Sequence, residues 1–185
     1  MQKGGFFPRL ALVNLVRNSR YYGPYLLSCG ALAAMYYILR FLTWNEVIQT
    51  VRGAAYLQVM MSIGCFVVAL FSTVLLLYAN SFVMKRRQKE LGLYNILGLE
   101  KRHIAALCFW ETLLCAAVVI PGGIAAGILL SKLILLLLLK LVQIPVQFGF
   151  SVSVRGVGET AALLAVLFLL ALLWNLLRLG RSRPI

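Results

Sequence analysis

At 185 residues, 62% hydrophobic and only 12% charged, the chain falls outside the soluble class, which is ~45–50% apolar and ~25% charged. Its 18 Lys and Arg against 5 Glu leave a formal charge of +13, but no soluble basic domain exists to carry that charge to nucleic acid. The composition is that of an all-α integral membrane protein, and the length suits one unit of a few spans.

The N-terminal piece, residues 1–21, carries Lys3, Arg9, Arg17 and Arg20. It has no uninterrupted apolar core and no small-residue cleavage site, so it is not a secretory signal peptide. Within Pro8–Arg20, residues Leu10, Leu12, Val13 and Val16 share an apolar stripe, while Arg9, Asn14, Arg17 and Arg20 stay polar. This pattern suits a short amphipathic helix in the inner interface, with Gly23-Pro24 turning the chain into the bilayer. An ordinary basic flank gives the same topology.

A helix needs roughly 20 apolar residues to cross a ~30 Å hydrocarbon core. Four transmembrane helices are predicted, at 22–42, 57–84, 104–127 and 160–177. The third apolar run is too long for one crossing, since about 36 residues make ~54 Å of helix. Pro121-Gly122-Gly123 predicts a kink. Residues 128–141, interrupted by Lys132 and Lys140, then form an apolar extension that leaves the membrane or lies along it. Two short hairpin spans are the competing reading, and the basic residues argue against it. Residues 142–159 form an extracellular loop, partly extended and long enough for a small cap.

Thirteen of the 18 basic residues fall on one side if the N-terminus is inside: in residues 1–21, in 85–103 and after the fourth span. This bias predicts both termini in the cytoplasm. Cys29, Cys65, Cys108 and Cys115 lie in apolar segments without ligand spacing and read as small buried hydrophobes. Neither metal nor cofactor is expected.

The connection at 85–103 is the most informative segment. Lys85–Tyr94 is expected to extend the second helix into the cytoplasm, Gly98 to end it, and Glu100 to open the next. Leu91, Tyr94, Ile96 and Leu97 are apolar among charges, so either a partner or the rest of the chain covers them. A solvated basic turn that only sets topology is the plainer reading.

The run KRRQKELGLYNILGLEKRHIAALCFWETLL, Lys85–Leu114, resembles the signature of the FtsX-like permeases of ABC transporters. Their charged R-x-x-E-[LI]-G segment is supplied by Arg87, Glu90, Leu91 and Gly92, their turn by Gly98, and the acid of the returning helix by Glu111. On this resemblance the permease domain occupies 57–178. Leu10–Cys29 and Gly149–Ile185 are similar to the bacitracin-type (Bce-type) permeases of Gram-positive bacteria, so the likeness covers nearly the whole chain. Only about 14 residues, Thr43–Tyr56, separate the first two spans. That favours the Bce type over members with a large extracytoplasmic domain there. Bce-type permeases continue well beyond four spans and carry a large extracellular domain. The chain is therefore expected to be an N-terminal portion: a fragment, a split gene product or a truncated reading frame.

The resemblance implies a multi-pass protein of the bacterial plasma membrane. Its implied partners are an ABC ATPase subunit, the remainder of the permease or a second permease chain, a sensor histidine kinase, and membrane lipids. It implies coupling of ATP hydrolysis by the separate subunit to helix movement in antimicrobial-peptide resistance or export. No G-x-x-x-x-G-K-[ST] loop occurs, so the chain is not an ATPase by that route, and no catalytic residue is assigned. Arg86, Arg87 and Lys89 are expected to meet acidic groups on the ATPase while Leu91, Tyr94 and Leu97 fill an apolar groove. Glu111, at membrane depth, is expected to be a structural anchor held by Arg102, His103, Thr112 or a neighbouring span. Pro121, Gly122, Gly123 and Gly127 form a kink and a close-packing patch through G-x-x-x-G. The other readings are a non-transporting membrane scaffold or regulator, and an inactive remnant.

Overall fold

The computed structural model describes residues 6–45, 53–96, 101–141 and 152–181. Hydrocarbon offers no water to backbone amides, so a chain this apolar satisfies its N–H and C=O groups within helices. Every regular element among the described residues is helical: α1 (Phe6–Arg17), α2 (Ser19–Thr43), α3 (Ala54–Ile96), α4 (Lys101–Leu141) and α5 (Val154–Arg181). Four stretches are long and apolar enough to cross a membrane: Ser19–Thr43, Ala54–Arg87, Arg102–Leu138 and Val154–Leu177.

The helices overrun the predicted spans. At 43 and 41 residues, α3 and α4 reach about 60 Å. The apolar extension at 128–141 belongs to the same helix, since α4 continues through Pro121 to Leu141. The proline leaves only the carbonyl of Ala117 without its intrahelical donor, whereas ending the helix in an apolar medium would orphan several groups. Near the N-terminus the break falls at Asn18 rather than Gly23-Pro24. The Asn18 carbonyl accepts the Tyr21 and Tyr22 amides at 2.9 and 3.1 Å, and Pro24 lies inside α2. In α1 the buried face is Ala11 and Asn14, while Leu12, Val13 and Val16 are exposed. The expected polar position of Asn14 is thus corrected: it points inward. Residues 154–159, expected in the extracellular loop, open α5, and Ser153 caps it by accepting the Gly156 amide on Oγ at 3.1 Å. Residues 142–151 of that loop lie outside the described residues.

The chain divides into two compact units. The first comprises residues 1–28, 73–118 and 165–185, and the second residues 29–72 and 119–164. In the second, Tyr37, Phe41, Leu42 and Ile124 form the buried core, with Ile120 and Ile128 packed against it. Here α4 crosses α2 closely. A Cβ on Gly123 would collide with the Ala33 Cβ, and one on Gly127 would sit 3.0–3.1 Å from Tyr37 and Ala34. The G-x-x-x-G pattern therefore seats α2 against α4 within the chain. Pro121 and Gly122 are exposed, and nothing lies within 4 Å of a Cβ on Gly122.

Gly123→Leu should overpack this crossing and cost about 1–3 kcal/mol or more, read as a lower unfolding temperature in detergent. Gly122→Leu, one position away on the open face, should leave that temperature unchanged.

Candidate functional site

The first unit is organised by charge. Arg87 stands nine residues before the end of α3, and Glu111 ten residues after the start of α4. Two helices joined by a short connection run antiparallel, so these positions arrive at one level. Arg87 and Glu111 form an ion pair through Nη1 and Oε2, with side chains only 2% and 5% exposed. Tyr22 of α2 accepts a hydrogen bond from Arg87 Nη1 at 2.8 Å and offers its own hydroxyl to Glu111 Oε2 at 3.4 Å. Asn14 of α1 donates from Nδ2 to Glu111 Oε1 at 3.3 Å. The guanidinium also lies 5.8 Å from the Tyr22 ring centroid. A buried pair repays its desolvation only when further hydrogen bonds occupy the remaining donors and acceptors. Here α1 and α2 supply such bonds to Arg87 Nη1 and to both Glu111 oxygens.

A second polar contact ties α3 to α5. The amides of Asn80 and Asn175 exchange two hydrogen bonds, at 2.9 and 3.2 Å. Both residues, with Tyr22, Glu111 and Thr112, line a cavity of about 20 Å³, room for one water. All five helices thus meet in this unit through side-chain hydrogen bonds or the ion pair.

The expected site residues divide sharply. Arg86 is exposed, its guanidinium 5.3 Å from the Phe82 ring centroid. Arg87 was expected to reach outward to a partner's acidic groups; it is buried instead, because the facing acid is Glu111 of the same chain. Glu111 in turn is held by Arg87, Tyr22 and Asn14 of neighbouring helices, and the Thr112 hydroxyl donates to the Cys108 carbonyl at 2.9 Å. Lys89, Glu90, Leu91, Gly92 and Tyr94 lie on α3, which continues to Ile96, but their side chains are outside the described residues. Leu97 and Gly98 lie outside them altogether. All four cysteines are buried and none forms a disulfide.

Tyr22, Asn80 and Asn175 carry no expectation from the sequence as site residues, and Asn14 is placed by it only on the polar face of α1. A signal existed for the two span asparagines, since a polar amide inside an apolar run needs a partner on another helix.

Four helices long and apolar enough to cross a membrane, two of them running well past the hydrocarbon thickness, define a multi-pass membrane protein. The chain belongs to the FtsX-like permease family: the FtsX-like permease C-terminal description matches residues 62–184. It is 30% identical over 171 residues to the bacitracin export permease protein BceB of Bacillus subtilis, covering 90% of this chain and 26% of that protein. The BceB protein of Halalkalibacterium halodurans is 28% identical over 172 residues, covering 91% of this chain and 26% of that protein. An uncharacterized ABC transporter permease of Bacillus subtilis, YvcS, is 25% identical over 178 residues, covering 95% and 27%. The chain spans about a quarter of the length of these relatives. Helices and family together place it in the bacterial plasma membrane.

Arg87→Ala leaves Glu111 buried without its cation and should destabilise the fold by about 3–5 kcal/mol. Replacing both, Arg87→Met with Glu111→Leu, should recover most of that loss. Monodispersity after heating in detergent measures both, and equal loss in the single and double variants would refute the pairing argument.

Proposed function

We propose that the chain is a transmembrane module of an ABC transporter permease of the Bce type, with both termini cytoplasmic, in which the far end of α3 engages a separate ATPase subunit. The observation that carries this reading is the continuity of α3. It runs without a break from Ala54 to Ile96, nine residues past the last residue of its apolar stretch, Arg87. The positive-inside bias assigns that end to the cytoplasm.

A helix that continues rigidly out of the bilayer can carry a displacement at its tip into the membrane as a tilt. The Arg87–Glu111 pair would make α4 follow α3, because separating the two helices exposes opposite charges to an apolar medium. Arg86 and Lys89 remain as the basic residues for an acidic partner surface, with Leu91, Tyr94 and Leu97 as apolar anchors. Arg87 is withdrawn from that set and becomes the lock. Export of bacitracin by the BceB relatives extends to this chain as a proposed role in resistance to peptide antimicrobials. The remainder of a permease or a second permease chain, and a sensor kinase, complete the proposed assembly.

Tyr94→Ala combined with Leu97→Ala should lower recovery of the co-expressed ATPase by about tenfold or more, the effect of losing interface anchors. Membrane insertion of the variant is checked in parallel. Unchanged recovery with a correctly inserted variant would sink the docking assignment. Stimulation of ATPase turnover by the chain separates a transport module from a passive scaffold.

A further inference from the structure

The second unit contains a cationic and aromatic cluster that the coupling reading does not use. Arg40, in the last turn of α2, pairs with Glu159 in the second turn of α5. Arg155, in the first turn of α5, donates from Nε to the other oxygen of Glu159 at 3.2 Å. Its guanidinium stacks 3.7 Å from the ring centroid of Trp44, just beyond α2, and Arg40 lies 6.0 Å from the same ring. Two guanidinium groups thus share one carboxylate, leaving an excess positive charge. The Arg155 side chain is 63% exposed, so that charge is reachable. Two buried donors in the cluster, Arg40 Nε and Trp44 Nε1, have no acceptor among the described residues. The N-terminus of α5 adds its own partial positive charge at this point.

Trp44 belongs to two features at once. Its ring supports Arg155, and it also lines an open groove of about 490 Å³ with Thr43, Gln58, Val59, Ile63 and Phe66. On the α3 side of this groove Gln58 and Ser62 are polar, while Val59, Ile63 and Phe66 present exposed apolar side chains. Cations and unpartnered donors at one end and an apolar channel leading from the same tryptophan describe a ligand with an anionic head and a hydrocarbon tail. A free phosphate would use the first part and leave the second empty.

We propose that this end of the second unit is a binding site for an anionic phospholipid. Arg155 and Arg40 hold the phosphate, Trp44 sits at the junction of head and tail, and one acyl chain lies along α3 over Val59, Ile63 and Phe66. Interfacial Trp and Arg residues commonly anchor spans at the headgroup level. The site goes further because its charges are focused on one side chain that also opens the groove. Binding here requires only the membrane location, and is independent of whether α3 engages an ATPase.

The test is native mass spectrometry of the full chain in mild detergent, with equal additions of dioleoyl phosphatidylglycerol and dioleoyl phosphatidylcholine. The wild type should retain the anionic lipid at least about threefold better, a difference well within one charge-assisted contact. Arg155→Gln should bring that ratio close to one. Phe66→Asn should lower retention of both lipids while preserving the ratio. Arg86→Gln, an exposed arginine outside the cluster, should leave the ratio unchanged. Circular dichroism confirms that each variant keeps its helices. Equal retention of the two lipids by the wild type would overturn the proposal, as would equal effects of Arg155→Gln and Arg86→Gln. Displacement of the lipid by millimolar inorganic phosphate alone would reduce the site to an anion site and overturn the acyl-chain assignment.

Discussion

A charged group inside an apolar interior must find its counter-charge there, because neither lipid nor packed side chain can replace the water it has lost. Arg87 and Glu111 meet that requirement through each other, and the other groups around them follow from it. A single ion pair leaves further donors and lone pairs to satisfy, so Tyr22 and Asn14 are drawn in from two more elements. The result is a specific register between α3 and α4. Leucine against leucine would tolerate sliding by a turn at little cost, whereas one arginine facing one glutamate does not.

The two units differ in their main device, although an ion pair, Arg40–Glu159, also ties α2 to α5 in the second. In the first, hydrogen-bonded polar side chains link the helices, through the ion pair and through the Asn80–Asn175 exchange. In the second, helices approach by shedding side chains: Gly123 and Gly127 let α4 lie directly on Gly30, Ala33 and Ala34 of α2. Both devices suit a medium in which apolar burial itself drives little association, because lipid tails are as apolar as leucine. The many exposed apolar residues on α3, Phe66, Phe71 and Val74 among them, are then an ordinary consequence of facing hydrocarbon.

For the proposed role, the reassignment of Arg87 matters most. A residue in the middle of a charged run, KRRQK, looks like part of a surface. The structure separates neighbours in that run by helical phase. Arg86 points outward and Arg87 inward, because successive residues on an α-helix are rotated by about 100°. The signature segment thus contains both an exposed Arg86 and an inner bolt, Arg87, that fastens the segment's helix to the next. A displacement of α3 would not stay in α3.

The amino-acid sequence by itself determined the class and the spans. Long runs of apolar residues leave no alternative to membrane helices, since backbone hydrogen bonding in hydrocarbon is local and needs no information from elsewhere in the chain. The four apolar stretches of α2, α3, α4 and α5 are legible for that reason, whereas the helix that packs on G-x-x-x-G is not. Helix ends are less so: Gly23-Pro24 reads as a turn into the bilayer, yet Pro24 lies inside α2, because the cost of one lost hydrogen bond is small beside that of ending a helix in lipid. Only the tertiary structure decided which polar residues face one another. Asn80 and Asn175 are 95 residues apart, Asn14 and Glu111 97 apart, and nothing local in the chain specifies such pairs. They are fixed by the rotation of each helix about its axis, which is settled when the helices pack and the buried charges have to find partners.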